Sequence, residues 1–482
     1  MDLAPWTTES ARRWLAARVS PADARDRALA AFDQVRLRGT GVPPVSESPP
    51  TCAGRACHSV VVAHADNAAY AGAWLAAATT VGAVWCANPK WGETERAEAA
   101  ALVPDGVWWA DDELRIGDCG LRIEHGRTRE QCAPAQSEIS NLQSAFLFIP
   151  TGGTGGKIRF VRHTPDTLSV AVAGFSRYAG ERLLKAGRPA RLAAVQALPC
   201  CHVSGLMPVV RAWLTDAELV FTPPSFRPDE PLPRMPAGEG ALTVVSLVAA
   251  QLFRLLERAD GPAWLRSAGL VLAGGSAIAP ELLERARAER IPLGVSYGLT
   301  EAAALAALYP PEAFLRGDVP VAGEVLPHIR VSITPDGRVA LAGDSLAGDS
   351  LGADVPRDAE GRYVTGDEGF LDAAGRLVVT GRADRIIVSG GEKVDPVEVE
   401  AALRATGLVR EVVVVGEPDP EWGRRVVAVY TGDASPETLA AALSGKLAGF
   451  RLPRRWVRAE GRLLDEKGKV DGAALKSALL RP

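Results

Sequence analysis

The sequence predicts an α/β fold: a large N-terminal domain of parallel and mixed sheets layered with helices, a β-rich subdomain, and a small α+β C-terminal domain. Three observations carry this expectation. From about Thr51 to Arg330, apolar strand-like runs alternate with longer helical patterns, the order that builds a mostly parallel sheet with helices packed on it. Short strands separated by Asp-Gly-type turns follow, over GRYVTGDEGFLDAAGRLVVTGRADRIIVSGGEKV. The chain's 482 residues also exceed what one hydrophobic core serves easily, so a second core is expected.

The elements follow in order. MDLAPWTTESARRWLAARV has no cationic start leading into an apolar core and a cleavage site, so it reads as an amphipathic helix and not as an export signal. HSVVVAHA, GVWWADD, LAAVQALP and GLVLAGG read as strands, and AAYAGAWLAAATTVG as a helix between the first two. ALTVVSLVAAQLF is interrupted by Thr243, Ser246 and Gln251 and is too short to cross a bilayer; it reads as a buried segment. FTPPSFRPDEPLPRMP reads as a surface loop. The tandem AGDSLAGDSL repeats only five residues and is expected to be a hairpin loop. Beyond it, DPVEVEAALRA, VREVVVVGEPD, RRVVAVYTG and PETLAAALSGKLAGF form a compact unit of their own, with the boundary at a Gly-Arg-x-Asp turn: residues 1–382 make the first domain and 383–482 the second.

Composition narrows the function. Apolar residues make up 47% and charged residues 23%, as in a soluble globular protein. The net charge is −4 with Lys and Arg spread throughout, so no basic face exists to release counterions from nucleic acid. Nucleic-acid partners and membrane insertion are therefore not expected. The seven cysteines lie between Cys52 and Cys201 without paired zinc-ligand spacing, which fits reduced thiols in a cytoplasm. CAGRACH, with Cys52, Cys57 and His58, reads as an ordinary loop.

Two segments point to phosphate chemistry. In FIPTGGTGGKIRF, Gly152, Gly153, Gly155 and Gly156 let backbone N–H groups converge without Cβ interference, Thr151 and Thr154 add hydroxyls, and Lys157 and Arg159 supply positive charge. It is not a Walker loop, because Thr151 stands at that pattern's first glycine and Ile158 replaces the hydroxyl after Lys157. In VSYGLTEAAA, Tyr297 can stack on a purine, Thr300 can donate to the α-phosphate and Glu301 can offer magnesium a hard oxygen. The same stretch also suits a strand ending at a helix capped by Thr300, and the two readings are compatible.

With these residues in place, the chain resembles the acyl-adenylate-forming enzymes, the superfamily of acyl-CoA synthetases, adenylation domains and luciferases, from about Phe146 to Leu475. The glycine-rich loop is similar to that family's Ser-Gly-Thr-Thr-Gly-x-Pro-Lys-Gly stretch, SYGLTE to its Tyr-Gly-x-Thr-Glu, and YVTGDEG to its Thr-Gly-Asp. GRADRIIVSGGEKVDPVEVE resembles the crossover into its mobile C-terminal domain, VVGEPDPEWGRRVVA a stretch inside that domain, and EKGKVDGAAL its terminal motif. The loop departs from the pattern: Gly152 stands for serine, Gly155 for the second threonine, and Ile158-Arg159 for Pro-Lys.

The resemblance implies ATP and coenzyme A as substrates, Mg2+ held by Glu301, and nucleotide contacts from the loop, from Gly274 and Gly275, and from Ser296, Tyr297 and Gly298. It implies that Asp367 grips the ribose hydroxyls with Arg382 as its basic partner, that Asp384 is the hinge, and that Gly390 and Gly391 border the CoA channel. Lys469 matches the lysine that bridges carboxylate and α-phosphate as charge grows at phosphorus. A homodimer is compatible with the family.

LPCCHVSGLMPVVRAWL matches the segment lining the acyl pocket, with His202 facing substrate and thiol. Arg211, nine residues on, is a cation that a fatty-acid site would not tolerate uncompensated, and a second carboxylate on the substrate would explain it. With Ser246 in SLVAAQLFRLL, the pattern is similar to the o-succinylbenzoate:CoA ligase subgroup of menaquinone and phylloquinone synthesis. Another acyl- or aryl-CoA synthetase, or a standalone adenylation enzyme loading a carrier protein, would share the nucleotide residues.

Overall fold

The structure is a computed structural model that describes residues 6–39, 59–63, 65–80, 83–91, 93–103, 108–111, 146–152, 158–185, 191–223, 225–227, 229–236, 241–275, 278, 280–318, 323–352, 355–383, 386–463, 470 and 472–480. Two sheets enclose a layer of helices. The first has eight strands in the order Val19–Ser20, Glu218–Phe221, Arg191–Gln196, Ala241–Leu247, Leu270–Gly274, Leu293–Leu299, Ala304–Tyr309 and Glu324–Val325. Its first six are parallel, Ala304–Tyr309 runs antiparallel to them, and Glu324–Val325 is antiparallel to Ala304–Tyr309 in turn. Parallel neighbours require long crossovers, which is what the alternating helical patterns of the sequence supply.

The second sheet runs Asp349–Leu351, Ile158–His163, Phe146–Gly152, Ala83–Cys86, Ser59–Ala63 and Trp108–Asp111. The last four are parallel, and the first two are antiparallel additions at one edge. Between the sheets lie the helices Asn67–Thr80, Pro165–Lys185 and Val203–Leu214, whose Trp74, Phe175 and Trp213 join Leu147 of one sheet and Leu219 and Leu272 of the other in one core. Burying each such Leu or Phe contributes about 1.5–3 kcal/mol. The helix Val203–Leu214 is apolar nearly all round and is buried on all sides, with Arg211 as its one charge. On the far side of the first sheet, Leu252, Leu265, Leu282 and Phe314 anchor four more helices over a second core.

A four-stranded antiparallel sheet follows, Arg330–Ile333, Arg338–Ala342, Tyr363–Leu371 and Leu377–Arg382. After it come the hairpin Ile387–Ser389/Glu392–Val394, the helix Pro396–Ala405, and a three-stranded sheet of Glu411–Asp419, Gly423–Thr431 and Arg455–Arg458. Asp395 starts that helix by accepting from the Val397 N–H, with Pro396 in its first turn. This last unit has apolar clusters of its own on both faces of its sheet.

Two local expectations are corrected. The tandem AGDSLAGDSL is not a free hairpin loop: Asp349–Leu351 pairs with Phe160–Arg162 and closes the second sheet's edge, with Asp349 bonded to Arg162 at 2.6 Å. Thr300 is not a side-chain cap but the first residue of the one-turn helix Thr300–Ala302, where Leu299 holds the cap position. ALTVVSLVAAQLF is buried as expected, but it divides into the strand Ala241–Leu247 and the helix Ala249–Glu257, which leaves Ser246 on a strand. Among the described residues, no helix is long and apolar enough to cross a membrane, and no group of His, Cys, Asp and Glu is arranged for a metal cluster. Cys86, Cys200 and Cys201 are buried free thiols, while CAGRACH lies outside the described residues.

Candidate active site

A cavity of about 1560 Å³ opens where the carboxyl ends of the first sheet's parallel strands meet the antiparallel sheet and the C-terminal unit. Strand ends at such a switch of direction leave backbone groups and side chains facing a crevice. The cavity is lined by Thr151, Arg159, His202, Arg211, Ser246, Gly274, Gly275, Ser296, Tyr297, Gly298, Thr300, Asp367, Arg382, Gly390 and Gly391. The sequence-predicted set that the structure describes is thus brought to one place, together with the buried Glu301. Gly152 ends the strand Phe146–Gly152. Gly153, Thr154, Gly155, Gly156, Asp384 and Lys469 lie outside the described residues.

Three groups of contacts organise the walls. On one wall, Asp367 and Arg382 face each other across paired strands, with Arg382 Nη1 donating to Oδ1 at 2.7 Å and Tyr297 Oη donating to Oδ2 at 2.8 Å. Burial and the adjacent Asp367 raise the Tyr297 pKa well above the usual phenol range, so this hydroxyl stays a donor.

Below it, Glu301 is 1% exposed; its Oε1 accepts from Arg159 and, at 3.0 Å, from Tyr363. Its Oε2 has no hydrogen-bond partner among the described residues. Burial works against its ionisation, yet Lys393 and then Arg159 outweigh this and hold the carboxyl below the usual range. Arg159, expected among phosphates, is therefore engaged by Glu301: it lies on the strand Ile158–His163, opposite Thr151, where its guanidinium reaches the carboxylate.

On another wall, Arg211 is buried and stacks on Phe175 with its guanidinium carbon 3.9 Å from the ring centre. Neither its Nε nor its Nη1 has a hydrogen-bond partner among the described residues. Burial alone pushes its pKa down to about 10.

The third wall is the C-terminal unit. His202, at the cap position of Val203–Leu214 with no capping bond, puts Nε2 3.0 Å from Glu392 Oε1, an ion-pair contact without hydrogen-bond alignment. Burial disfavours the charged ring, but Cys201 and Glu392 together raise the His202 pKa well above the ordinary histidine range. Gly391 approaches Val248 and Gly275 so closely that an added Cβ would sit 2.7 Å from Val248 Cγ1, and its φ of +88° is one that glycine alone adopts readily. Arg254 bonds Glu421 at 2.9 Å across the two units, and Arg454 stacks on Trp422 at 3.5 Å beside the cavity mouth. Deeper in the interface, Glu95 Oε1 accepts the Ala448 N–H at 3.0 Å, and Arg451 bridges Glu95 and Glu398.

Tyr363, Glu392, Lys393 and Trp422 are the residues that sequence reasoning passed over. Each lies inside a quoted motif, but only the assembled cavity shows that their side chains reach it.

This architecture, with the Asp367–Arg382 pair on its cavity wall and a docked C-terminal unit, belongs to a known class. Residues 56–344 match the model of the AMP-binding enzyme family and residues 398–468 that of the AMP-binding enzyme C-terminal domain. The chain belongs to this family, the acyl-adenylate-forming enzymes. Within it, the chain is similar to the 2-succinylbenzoate–CoA ligase of Listeria monocytogenes serotype 4b (strain F2365): 30% identical over 350 residues, covering 71% of this chain and 72% of that protein. Among solved structures, an amide bond synthetase from Marinactinospora thermotolerans shares the fold at a TM-score of 0.73 and 22% identity, over 98% of this chain and 99% of the other. An o-succinylbenzoate CoA synthetase from Bacillus subtilis does so at 0.68 and 19%, over 94% and 93%.

Proposed function

We propose that this chain is an ATP-dependent CoA ligase acting on o-succinylbenzoate through an acyl-adenylate. The observation that carries the choice of acid is Arg211, a buried guanidinium on the cavity wall whose Nε and Nη1 have no partner among the described residues. A buried unpaired cation is costly, and a substrate with a second carboxylate supplies the missing counter-charge. Ser246 lines the same cavity and can add a hydroxyl. The similarity to a 2-succinylbenzoate–CoA ligase supports the same acid.

In the first half-reaction the substrate carboxylate oxygen attacks the α-phosphorus of ATP, and the bond to the bridging oxygen of pyrophosphate breaks. Asp367, oriented by Arg382 and Tyr297, receives the ribose; Thr151 and the glycine-rich loop surround the phosphates; Lys469 counters the charge growing at phosphorus. The buried Oε2 of Glu301, without a partner among the described residues, suits a hard divalent cation such as magnesium, which when bound screens the phosphate charge.

In the second half-reaction the CoA sulfur attacks the acyl carbon, the thiol proton passes to solvent, and AMP leaves with the bonding electrons. Rotation about Asp384 separates the two steps, and the arrangement with Gly390 and Gly391 at the cavity belongs to the second. His202 is engaged by Glu392 in an ion-pair contact, and the adenylate's leaving group makes a general base for the thiol unnecessary. Arg254, Arg454 and Trp422 at the mouth suit the phosphates and adenine of CoA.

ATP–pyrophosphate exchange with a panel of acids tests the reading. Exchange is expected with o-succinylbenzoate and not with benzoate, fatty acids or amino acids, and a reversed order refutes it. Thioester formation with free CoA, compared with a phosphopantetheinylated carrier, tests the acceptor.

A further inference from the structure

Glu95 lies on the helix Glu93–Leu102 in the N-terminal part of the chain, yet it is fully buried, and among the described residues both of its polar partners belong to the C-terminal unit. Its Oε1 accepts the Ala448 N–H at 3.0 Å and stands 3.4 Å from Arg451 Nη1. Donor and cation are arranged without its help. The Arg451 N–H donates to the Ala448 carbonyl at 2.9 Å beside the one-turn helix Gly449–Arg451, and the Arg451 guanidinium is tied to Glu398 of its own unit. Oε1 is therefore satisfied twice only when that turn arrives in register. The same turn lies against the strand Glu392–Val394, whose hairpin carries Gly390 and Gly391 to the cavity. A carboxylate that trades water for one N–H and one guanidinium gains little net stability, but a misplaced unit would leave it buried and unpaired at a heavy cost. Such a contact selects an orientation.

We propose that Glu95 is a positioning residue for thioester formation: it registers the Ala448–Arg451 turn, and through it the hairpin at the cavity, and takes no part in adenylation. The proposal rests on the two-step ligase reading, in which the docked arrangement serves the second step. If CoA binds the docked arrangement, this contact sets the competent fraction that CoA meets. Losing it weakens the apparent affinity for CoA, and saturating CoA restores the rate.

The test measures CoA capture of a supplied acyl-adenylate and, separately, ATP–pyrophosphate exchange, both on the full chain. Glu95→Gln keeps an acceptor for the N–H but loses the charge, and Ala448→Pro removes the N–H at a position whose φ of −59° already suits proline. Each should raise KM for CoA about tenfold, with kcat and exchange within about twofold of the wild type. Arg451→Met should do the same, and adding Glu95→Gln to it should raise KM by less than about twofold further, because both remove one contact. An unchanged KM in Glu95→Gln and Ala448→Pro, a loss of rate that saturating CoA does not restore, an equal loss in exchange, or effects of Glu95→Gln and Arg451→Met that multiply overturns the proposal. A wild-type enzyme that forms no thioester with CoA sinks the ligase reading, and this proposal with it.

Discussion

Replacing Arg211 by Met should make the free enzyme more stable and the enzyme's chemistry worse. Arg211 is 7% exposed, and burial pushes its pKa down to about 10. That places it some two to three pH units below an ordinary arginine, and at about 1.4 kcal/mol each the buried charge costs about 3 kcal/mol. Stacking on Phe175 returns about 1–2 kcal/mol of this, which Met forfeits, so the net gain for Arg211→Met is about 1–2 kcal/mol. Because folding depresses the pKa of this base, the penalty is full at every pH below about 10 and relieved only above it; the gap between variant and wild type should be flat from about pH 6 to pH 9.

Met is close to Arg in volume, so the variant leaves little void. The substrate's second carboxylate, by contrast, would lose its partner, at about 3–5 kcal/mol or about 10²- to 10³-fold in kcat/KM for o-succinylbenzoate. Urea unfolding followed by tryptophan fluorescence measures the first effect and exchange kinetics the second. A variant that unfolds at lower urea while keeping its activity on the dicarboxylic acid would refute the reasoning on both counts.

Other outcomes follow from the interface and the nucleotide side. Lys469→Ala should slow pyrophosphate exchange by about 10²- to 10³-fold while leaving CoA capture of a supplied acyl-adenylate intact, as single-turnover assays would show. Gly391→Ala should weaken hairpin docking by about 1–2 kcal/mol, because φ is +88° and the new methyl meets Val248, so thioester formation slows about tenfold and adenylation does not. Burial lifts Glu398 to about 7, with Glu98, Glu95 and Asp395 adding to the effect and Arg451 opposing it. The docked state therefore holds this proton more tightly than the undocked one. Docking should be strongest below the free carboxyl range and weaken as pH rises to about 7, whereas Glu398→Gln should be flat; protease protection of the interdomain segment measures both.

Much of the fold was legible because its signals are local. The strands Leu270–Gly274 and Arg191–Gln196 are short apolar runs between turn residues, and the helix Val203–Leu214 is an apolar stretch broken only by Ser204 and Arg211; neither needs a distant partner to be recognised. One strand was not legible: Asp349–Leu351 is polar and repetitive, and it becomes a strand only because the exposed edge at Ile158–His163 offers it hydrogen bonds. The site divides in the same way. Asp367 and Arg382 sit on adjacent strands of one hairpin, so their meeting is nearly written in the spacing. Arg159 and Glu301 meet across 142 positions, and nothing near either residue announces it. Lys393, inside GGEKV, looks like a solvated lysine until the hairpin that carries it closes on the cavity.

The pairing of Asp349 with Arg162 has a cost during synthesis. At about 5–20 residues per second, a ribosome that has released Ile158–His163 needs roughly 10–40 s to deliver the strand that covers it. Until then an apolar, hydrogen-bond-hungry border faces the crowded space outside the exit tunnel, inviting strand addition by neighbouring nascent chains. The waiting time should make this enzyme's yield sensitive to translation speed and chaperone supply, with truncations upstream of Asp349 accumulating as aggregates.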